Sequence, residues 1–208
     1  DNILQIVNKR FSSYDKNQDN HYGLISALHK SVRGSDPDAA IYWYMRMINS
    51  GEDPLYIARR VIRMSVEDIG LADPNAVNIA ISCYKAYQIM GSPEGELAIA
   101  NAVVYLATAP KSNAVYKAFN EVRDFVKRSG SYNPPNHILN APTKFMKEIG
   151  LSDGYIYDPD TKDSFSGQDY FPKETGRKKF YHPYNRGFER EINKRLDYWD
   201  KLRKTLCN

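Results

Sequence analysis

Hydrophobic residues are concentrated in the middle of the chain, in four segments that begin in the same way. Each starts with a side chain that can cap a helix, followed by a proline: Asp36-Pro37, Asp53-Pro54, Asp73-Pro74 and Ser92-Pro93. The Asp or Ser oxygen accepts an N–H of the first helical turn, and proline in that turn gives up a donor that has no partner there. The pattern therefore predicts four consecutive helices, over roughly 37–50, 54–70, 74–90 and 93–108.

These helices carry more hydrophobic surface than a small bundle needs to bury. The first, third and fourth are apolar nearly all round, whereas a surface helix typically shows one apolar stripe. We therefore expect part of this surface to meet another subunit or domain. The candidate interface residues are the large side chains of the first and third helices: Tyr42, Trp43, Met47, Tyr84 and Tyr87.

The flanking segments extend the helical pattern and then break it. Further helices are predicted at 1–13, 21–33, 112–128, 143–149 and 187–206, with a polar loop over 14–20. No helical period holds from Leu151 to Arg186, where glycine, proline and aromatic residues are dense. Tyr155–Tyr157 and Phe165–Tyr170 could pair as a small hairpin, and the rest of this stretch reads as an extended arm laid over the helices. The predicted fold class is thus an all-α multi-helix bundle with an irregular, aromatic-rich C-terminal arm.

Composition places the chain among ordinary globular proteins. It has 208 residues, of which 42% are hydrophobic and 26% charged. It contains no apolar run near the roughly 18 residues of a membrane span, and no secretory signal opens it. Cys83 and Cys207 read as two reduced cysteines of a cytosolic protein. Because the chain opens on Asp1 with a pattern that is already helical, we expect that an upstream part precedes it.

Basic residues are clustered near the C-terminus. Between Phe171 and Arg190, six basic residues face two acidic ones, an excess equal to the whole net charge of +4. Basic residues interleaved with aromatic ones are typical of a nucleic-acid surface. The same aromatic residues could instead pin the arm onto the helical body, and both explanations stay open. The candidate DNA or anion contacts in this window are Arg177, Lys178, Lys179 and Arg186.

A second basic feature lies on the predicted helix 54–70. Arg59 and Arg63 share a helix face because they are four residues apart, and Arg60 adjoins them. Glu67 follows Arg63 at the same spacing, so the face could be solvated and partly self-paired. The alternative is an arginine stripe that contacts an anion, either DNA phosphate or an acidic neighbour.

No catalytic or metal-binding constellation is visible. The alternation of Asp15, Asn17 and Asp19 resembles the start of a calcium loop, but Ser26 stands where the bidentate glutamate belongs. Lys30-Ser31 ends like a P-loop but lacks its glycines. His21 and His29 lack an acidic or Cys partner at ligand spacing. His137 and His182 lie in predicted loops, and the sequence assigns them no partners, so enzymatic activity of this chain is the least favoured of the functions we considered.

Long strings of the chain resemble the C-terminal region of the MgsA/RarA replication-associated recombination proteins. These are AAA+ ATPases related to clamp loaders and to the eukaryotic Werner-helicase-interacting protein. The resemblance covers nearly the whole chain, and the strings that carry it are 21–40, 51–60, 67–74, 105–116, 140–144, 170–172 and 185–187.

The resemblance implies a helical core similar to a clamp-loader collar, which joins subunits into a tetramer. It implies three parts: a join from an AAA+ lid over 1–20, a collar-like oligomerisation domain over 21–130 and a C-terminal extension over 131–208. The parent protein would be a DNA-dependent ATPase of the bacterial cytoplasm, associated with the nucleoid and with replication proteins. Its ATP and Mg²⁺ would bind a module outside this chain, because the family's Walker and arginine-finger residues have no matching positions here. A helical module that binds DNA or protein without self-assembly is the alternative function.

Overall fold

The chain folds through helices and connecting loops. The computed structural model describes residues 17–206 and contains, within that range, eight α-helices and no β-strand. The first five are α1 Asn17–Arg33, α2 Pro37–Asn49, α3 Pro54–Met64, α4 Ala76–Met90 and α5 Glu96–Thr108. The other three are α6 Ala114–Ser129, α7 Lys144–Glu148 and α8 Glu189–Leu206. The prediction of an all-α protein is confirmed.

The N-terminal predictions are only partly covered by the structure. The helix predicted over 1–13 lies outside the described residues. The loop predicted over 14–20 was wrong in its second half, because α1 already begins at Asn17. Amide and acidic side chains favour the first turn of a helix, so a polar stretch can begin one.

Two of the four predicted caps form as expected. Asp36 Oδ1 accepts the N–H of Ala39 at 2.9 Å and starts α2. Asp53 accepts the N–H groups of both Leu55 and Tyr56, at 2.9 and 3.1 Å, and starts α3. Both helices therefore begin at the proline that follows the cap, as the sequence predicts.

The other two caps have different partners, and their helices begin later. Asp73 Oδ2 accepts a hydrogen bond from Tyr105 at 2.6 Å, and α4 starts at Ala76 rather than at residue 74. Ser92 Oγ bonds the Tyr87 hydroxyl at 3.0 Å, and α5 starts at Glu96 rather than at residue 93. Tertiary partners compete with the local capping bond at these two positions.

The hydrophobic core lies among α1 to α5. Helix α5 is central, because it packs against each of the other four. The largest fully buried side chains of this core are Tyr44, Leu28, Met47, Ile57, Met64, Ile69, Ile99 and Leu106. The buried Tyr44 hydroxyl donates to Glu96 O at 2.8 Å, which satisfies the polar end of the side chain and ties α2 to the start of α5.

A π-helical turn interrupts the helix predicted over 54–70. Helix α3 ends at Met64, the π-helical turn covers Ser65–Ile69, and a 3-10 turn, Gly70–Ala72, follows. Gly70 has a φ of 51°, and a Cβ there would lie 2.9 Å from Ser112 O. The Ser112 N–H donates to Asp68 O at 2.8 Å, which holds the two segments together. A continuous α-helix could not make this close approach.

The predicted hairpin at 155–170 was wrong, because neither segment forms a strand. The side-chain amide of Gln168 takes the place of strand pairing. Its Oε1 accepts the Ile156 N–H at 3.0 Å, and its Nε2 donates to Ile156 O at 2.7 Å. The backbone groups of Ile156 are thus satisfied without a β-ladder.

A buried carboxylate organises the start of α8. Glu189 is fully buried, and it accepts hydrogen bonds from the Tyr181 hydroxyl at 2.9 Å and from the Tyr184 N–H at 2.8 Å. Burial, together with this bond to Glu189, raises the pKa of Tyr181 well above its ordinary value. The irregular segment before α8 is thereby fixed to the first turn of that helix.

The chain divides between Asn113 and Ala114 into two compact units. The first contains α1 to α5 and the second α6 to α8. The predicted division at 20 and 130 stays a prediction, and the boundary between the compact units falls elsewhere in the chain.

Candidate assembly and nucleic-acid surfaces

The predicted interface residues of α2 separate into exposed and buried ones. Tyr42 is 52% exposed, and its ring meets the partly buried Trp43 edge to face, with centroids 5.0 Å apart. Arg46 Nη1 donates to the Tyr42 hydroxyl at 3.0 Å. Aromatic and arginine side chains of this kind dominate the binding energy of many protein interfaces. Met47, in contrast, is fully buried in its own core, so it offers no surface to a partner.

Tyr84 and Tyr87 on α4 are partly buried against the same core. Tyr87 packs so closely on Gly95 that a Cβ there would lie 2.9 Å from Tyr87 Cδ2. Both tyrosines thus help to hold α4 in its own unit. The large apolar side chains that α4 exposes are Ile81, Ile89 and Met90, which the sequence analysis did not select.

The arginine stripe on α3 is largely paired within the chain. Arg63 Nε donates to Glu67 Oε2 at 2.7 Å, and Arg59 Nη2 lies 3.5 Å from Asp53 Oδ2. Arg59 also lies over the ring of Tyr56, 6.0 Å from its centroid. The buried Nε of Arg60 has no hydrogen-bond partner among the described residues. These contacts favour the self-paired interpretation of the stripe over an anion site.

An ion network joins α1 to the π-helical turn. Arg33 Nε donates to Asp68 Oδ1 at 2.6 Å, and His29 Nε2 lies 2.5 Å from Asp68 Oδ2. Arg33 Nη2 reaches Glu67 Oε1 at 3.3 Å, and Glu67 also receives Arg63. Burial alone would raise the pKa of Asp68, but hydrogen bonds from His29 and Arg33 outweigh it and hold this pKa below its ordinary value.

The same residues include a grouping with metal-ligand chemistry. Ligand atoms of His29, Glu67 and Asp68 all lie within 4.8 Å of one another. Arginine nitrogens, however, already bind oxygens of both carboxylates. The arrangement is therefore an internal ion network rather than an open coordination site. The sequence analysis missed it, because His29 and Asp68 are 39 residues apart and no local pattern links them.

Basic residues of the C-terminal unit lie over aromatic rings. Lys178 Nζ is 6.0 Å from the ring centroid of Phe125, and Arg186 Cζ is 5.3 Å from that of Tyr184. Lys117, which the sequence analysis did not select, donates to the Tyr184 hydroxyl at 2.6 Å. Arg177 is exposed, and Lys179 Nζ lies 3.9 Å from Asp200 Oδ2. The structure thus brings Arg186 and Lys117 to one ring, and it partly neutralises Lys179.

None of the helices within residues 17–206 combines the length and the hydrophobicity that crossing a bilayer requires.

The sequence matches two family patterns that adjoin at α1. The MgsA AAA+ ATPase C-terminal family matches residues 34–200, and an AAA C-terminal domain matches residues 1–33. Replication-associated recombination protein A of Coxiella burnetii is 48% identical over 96% of this chain and 46% of its own length. The protein of the same name from Escherichia coli K12 is 48% identical, over 93% of this chain and 44% of its own length. ATPase WRNIP1 of Dictyostelium discoideum is 46% identical over 81% of this chain and 19% of its own length. The chain thus spans less than half the length of these relatives.

Proposed function

Because this chain belongs to the MgsA AAA+ ATPase C-terminal family, we propose that it is the assembly module of a replication-associated recombination ATPase. It joins copies into a closed homo-oligomer, a tetramer, and so holds several ATPase modules near DNA in the bacterial cytoplasm. ATP and Mg²⁺ bind in the part of the protein that lies outside this chain. The chain itself neither binds nor hydrolyses ATP.

Exposed apolar surface on the N-terminal unit carries this proposal. Large hydrophobic side chains remain exposed along α2, α4 and α5: Ile41, Tyr42, Met45, Ile81, Ile89, Met90, Leu97 and Val104. Single exposed hydrophobic residues are normal, but apolar side chains repeated along neighbouring helices typically mark a protein interface. The apolar surplus expected from the sequence is therefore present on the folded unit.

The mass of the purified chain in solution tests the proposal. Multi-angle light scattering should give four times the 23.9 kDa of one copy. The mass should fall only on dilution, because association follows mass action. A monomer at tens of micromolar protein would contradict the proposal. Addition of Mg-ATP should leave both the mass and the melting temperature of the chain unchanged.

A second candidate function is contact with nucleic acid through the C-terminal unit. Its support is the set of cations that rest on aromatic rings, Lys178 on Phe125 and Arg186 on Tyr184. Cations ordered in this way combine phosphate attraction with nearby flat rings on which bases can stack. Such a module could act without self-assembly, so this candidate is independent of the first.

Fluorescence anisotropy with a labelled single-stranded oligonucleotide tests this second candidate. Affinity should fall steeply between low and moderate salt, because bound phosphates release counterions. The double substitution Lys178→Ala with Lys179→Ala should weaken binding and flatten the salt dependence. Lys144→Ala with Lys147→Ala, which removes the same charge from α7, is the matched control. Absence of binding at low salt, or an equal loss in the control, would remove this candidate.

A further inference from the structure

The outer face of α5 lacks charged side chains. Its exposed positions are Leu97, Asn101, Val104 and Thr108, which follow one another at helical spacing along a single face. Leu97 is 70% exposed and Val104 is 36% exposed. The only charged residue in the whole helix is Glu96, at its first position. Three turns of helix are therefore exposed without a charge.

The two polar side chains on this face are satisfied by their own helix. Asn101 Nδ2 donates to Leu97 O at 2.9 Å, and Thr108 Oγ1 donates to Val104 O at 3.0 Å. Covering these groups with another protein surface would leave the Thr108 hydroxyl proton and one Asn101 proton already paired. This lowers the desolvation cost that polar groups usually bring to an interface.

The adjacent helix α4 continues the same character. It packs directly against α5, and Lys85 is its only charged residue. Ile81 and Ile89 are among its exposed side chains. Helix α8 shows how a solvated helix of this chain looks, since ten of its eighteen residues are charged. The lack of charge on α4 and α5 is thus a property of this surface and not of the overall composition.

We propose that the α4–α5 face binds the same face of a second copy of this chain. Charge matching selects this partner. A charged surface would lose hydration against α5 without gaining an ion pair, whereas the identical face brings no charge to desolvate. A contact of a face with itself has two-fold symmetry, and it is the commonest building block of closed homo-oligomers. The inference rests on the proposed assembly function, to which it assigns an interface.

Val104→Glu tests the assignment, because it places a charge at the middle of the face at an exposed position. We expect self-association to weaken by about 100-fold or more, since two like charges would meet across the two-fold axis. Sedimentation velocity over a dilution series measures this change. Val126→Glu, at a 56% exposed valine of α6, is the matched control and should leave association unchanged. Leu97→Glu repeats the test if Val104→Glu lowers the melting temperature.

Mixing two variants separates this proposal from its alternatives. Val104→Glu and Val104→Lys should each dissociate alone and should associate again when mixed, because opposite charges then meet. If the two variants dissociate but do not associate on mixing, α5 contacts a different surface and the same-face assignment is overturned. If Val104→Glu remains assembled, the assignment fails while the assembly function stands. If the unmodified chain is a monomer, both fail.

Discussion

His29 and Asp68 are hydrogen-bonded at 2.5 Å, although 39 residues separate them in the sequence. Because the pKa of Asp68 is lowered, the carboxylate is the acceptor, and His29 Nε2 must carry the proton. The bond joins α1, which lies in the match to the AAA C-terminal domain, to the π-helical turn, which lies in the match to the MgsA C-terminal family. It therefore fastens two family modules together.

Removing the charge of Asp68 should destabilise this junction. The Asp68 side chain is only 4% exposed, and its loss leaves His29 and Arg33 without their acceptor. Because Arg33 is half exposed, water recovers part of the loss, so we expect Asp68→Asn to cost about 2 kcal/mol of unfolding free energy. Urea denaturation measures it. Asp124→Asn, at an exposed surface pair, should change the stability by less than about 0.5 kcal/mol. Equal effects of the two substitutions would refute this role for Asp68.

The same carboxylate gives stability a defined pH dependence. Its pKa is lower in the folded state than the value of about 3.9 in an unfolded chain. The unfolded state therefore binds the proton first, and the contribution of Asp68 is complete above about pH 5 and is lost on acidification below about pH 4. The difference in urea midpoint between the unmodified chain and Asp68→Asn should shrink over this interval. A difference that stays constant down to pH 2 would contradict the assignment.

Gly70 should not tolerate a side chain. Its φ of 51° is strained for other residues, and a Cβ would lie 2.9 Å from Ser112 O, a backbone atom that cannot swing away. We expect Gly70→Ala to cost about 2 kcal/mol. Gly23→Ala is the matched control, because Gly23 lies within α1 with no atom within 4 Å of its would-be Cβ. That substitution should stabilise the chain by up to about 1 kcal/mol. Thermal unfolding of the two variants, measured in parallel, should move in opposite directions.

Glu189 should matter more than its neighbours in the sequence suggest. Glu189→Ala leaves the Tyr181 hydroxyl and the Tyr184 N–H without their buried acceptor, at a cost of about 3 kcal/mol. Glu191→Ala, two residues later and exposed, loses only a surface pair with Lys194 and should cost less than about 1 kcal/mol. Hydrogen exchange should show faster exchange of the Tyr184 amide in Glu189→Ala alone.

Local signals in the sequence were sufficient for the helices but not for the sites. Asp36 and Asp53 cap as predicted because their partners lie two or three residues away. Asp73 and Ser92 carry the same signal, but distant tyrosines bind them, which no local pattern reveals.

The same division applies to the functional surfaces. The apolar excess of the middle helices was visible in the sequence, because it depends on composition. Which side chains remain exposed depends on how the helices pack. That is why Met47 proved to be buried while Leu97 and Val104, which the sequence did not single out, lie outside. The ion network at Asp68 depends on the π-helical turn, whose extra residue per turn sequence periodicity does not signal.

The pairing of Gln168 with Ile156 also protects the chain from misassembly. Tyr155, Ile156 and Tyr157 form an exposed, β-prone tripeptide of the kind that can template intermolecular strands. Both backbone groups of Ile156 are already occupied by one side-chain amide. An incoming extended peptide would have to displace Gln168 before it could pair there, so this single glutamine acts as a gatekeeper against fibril growth.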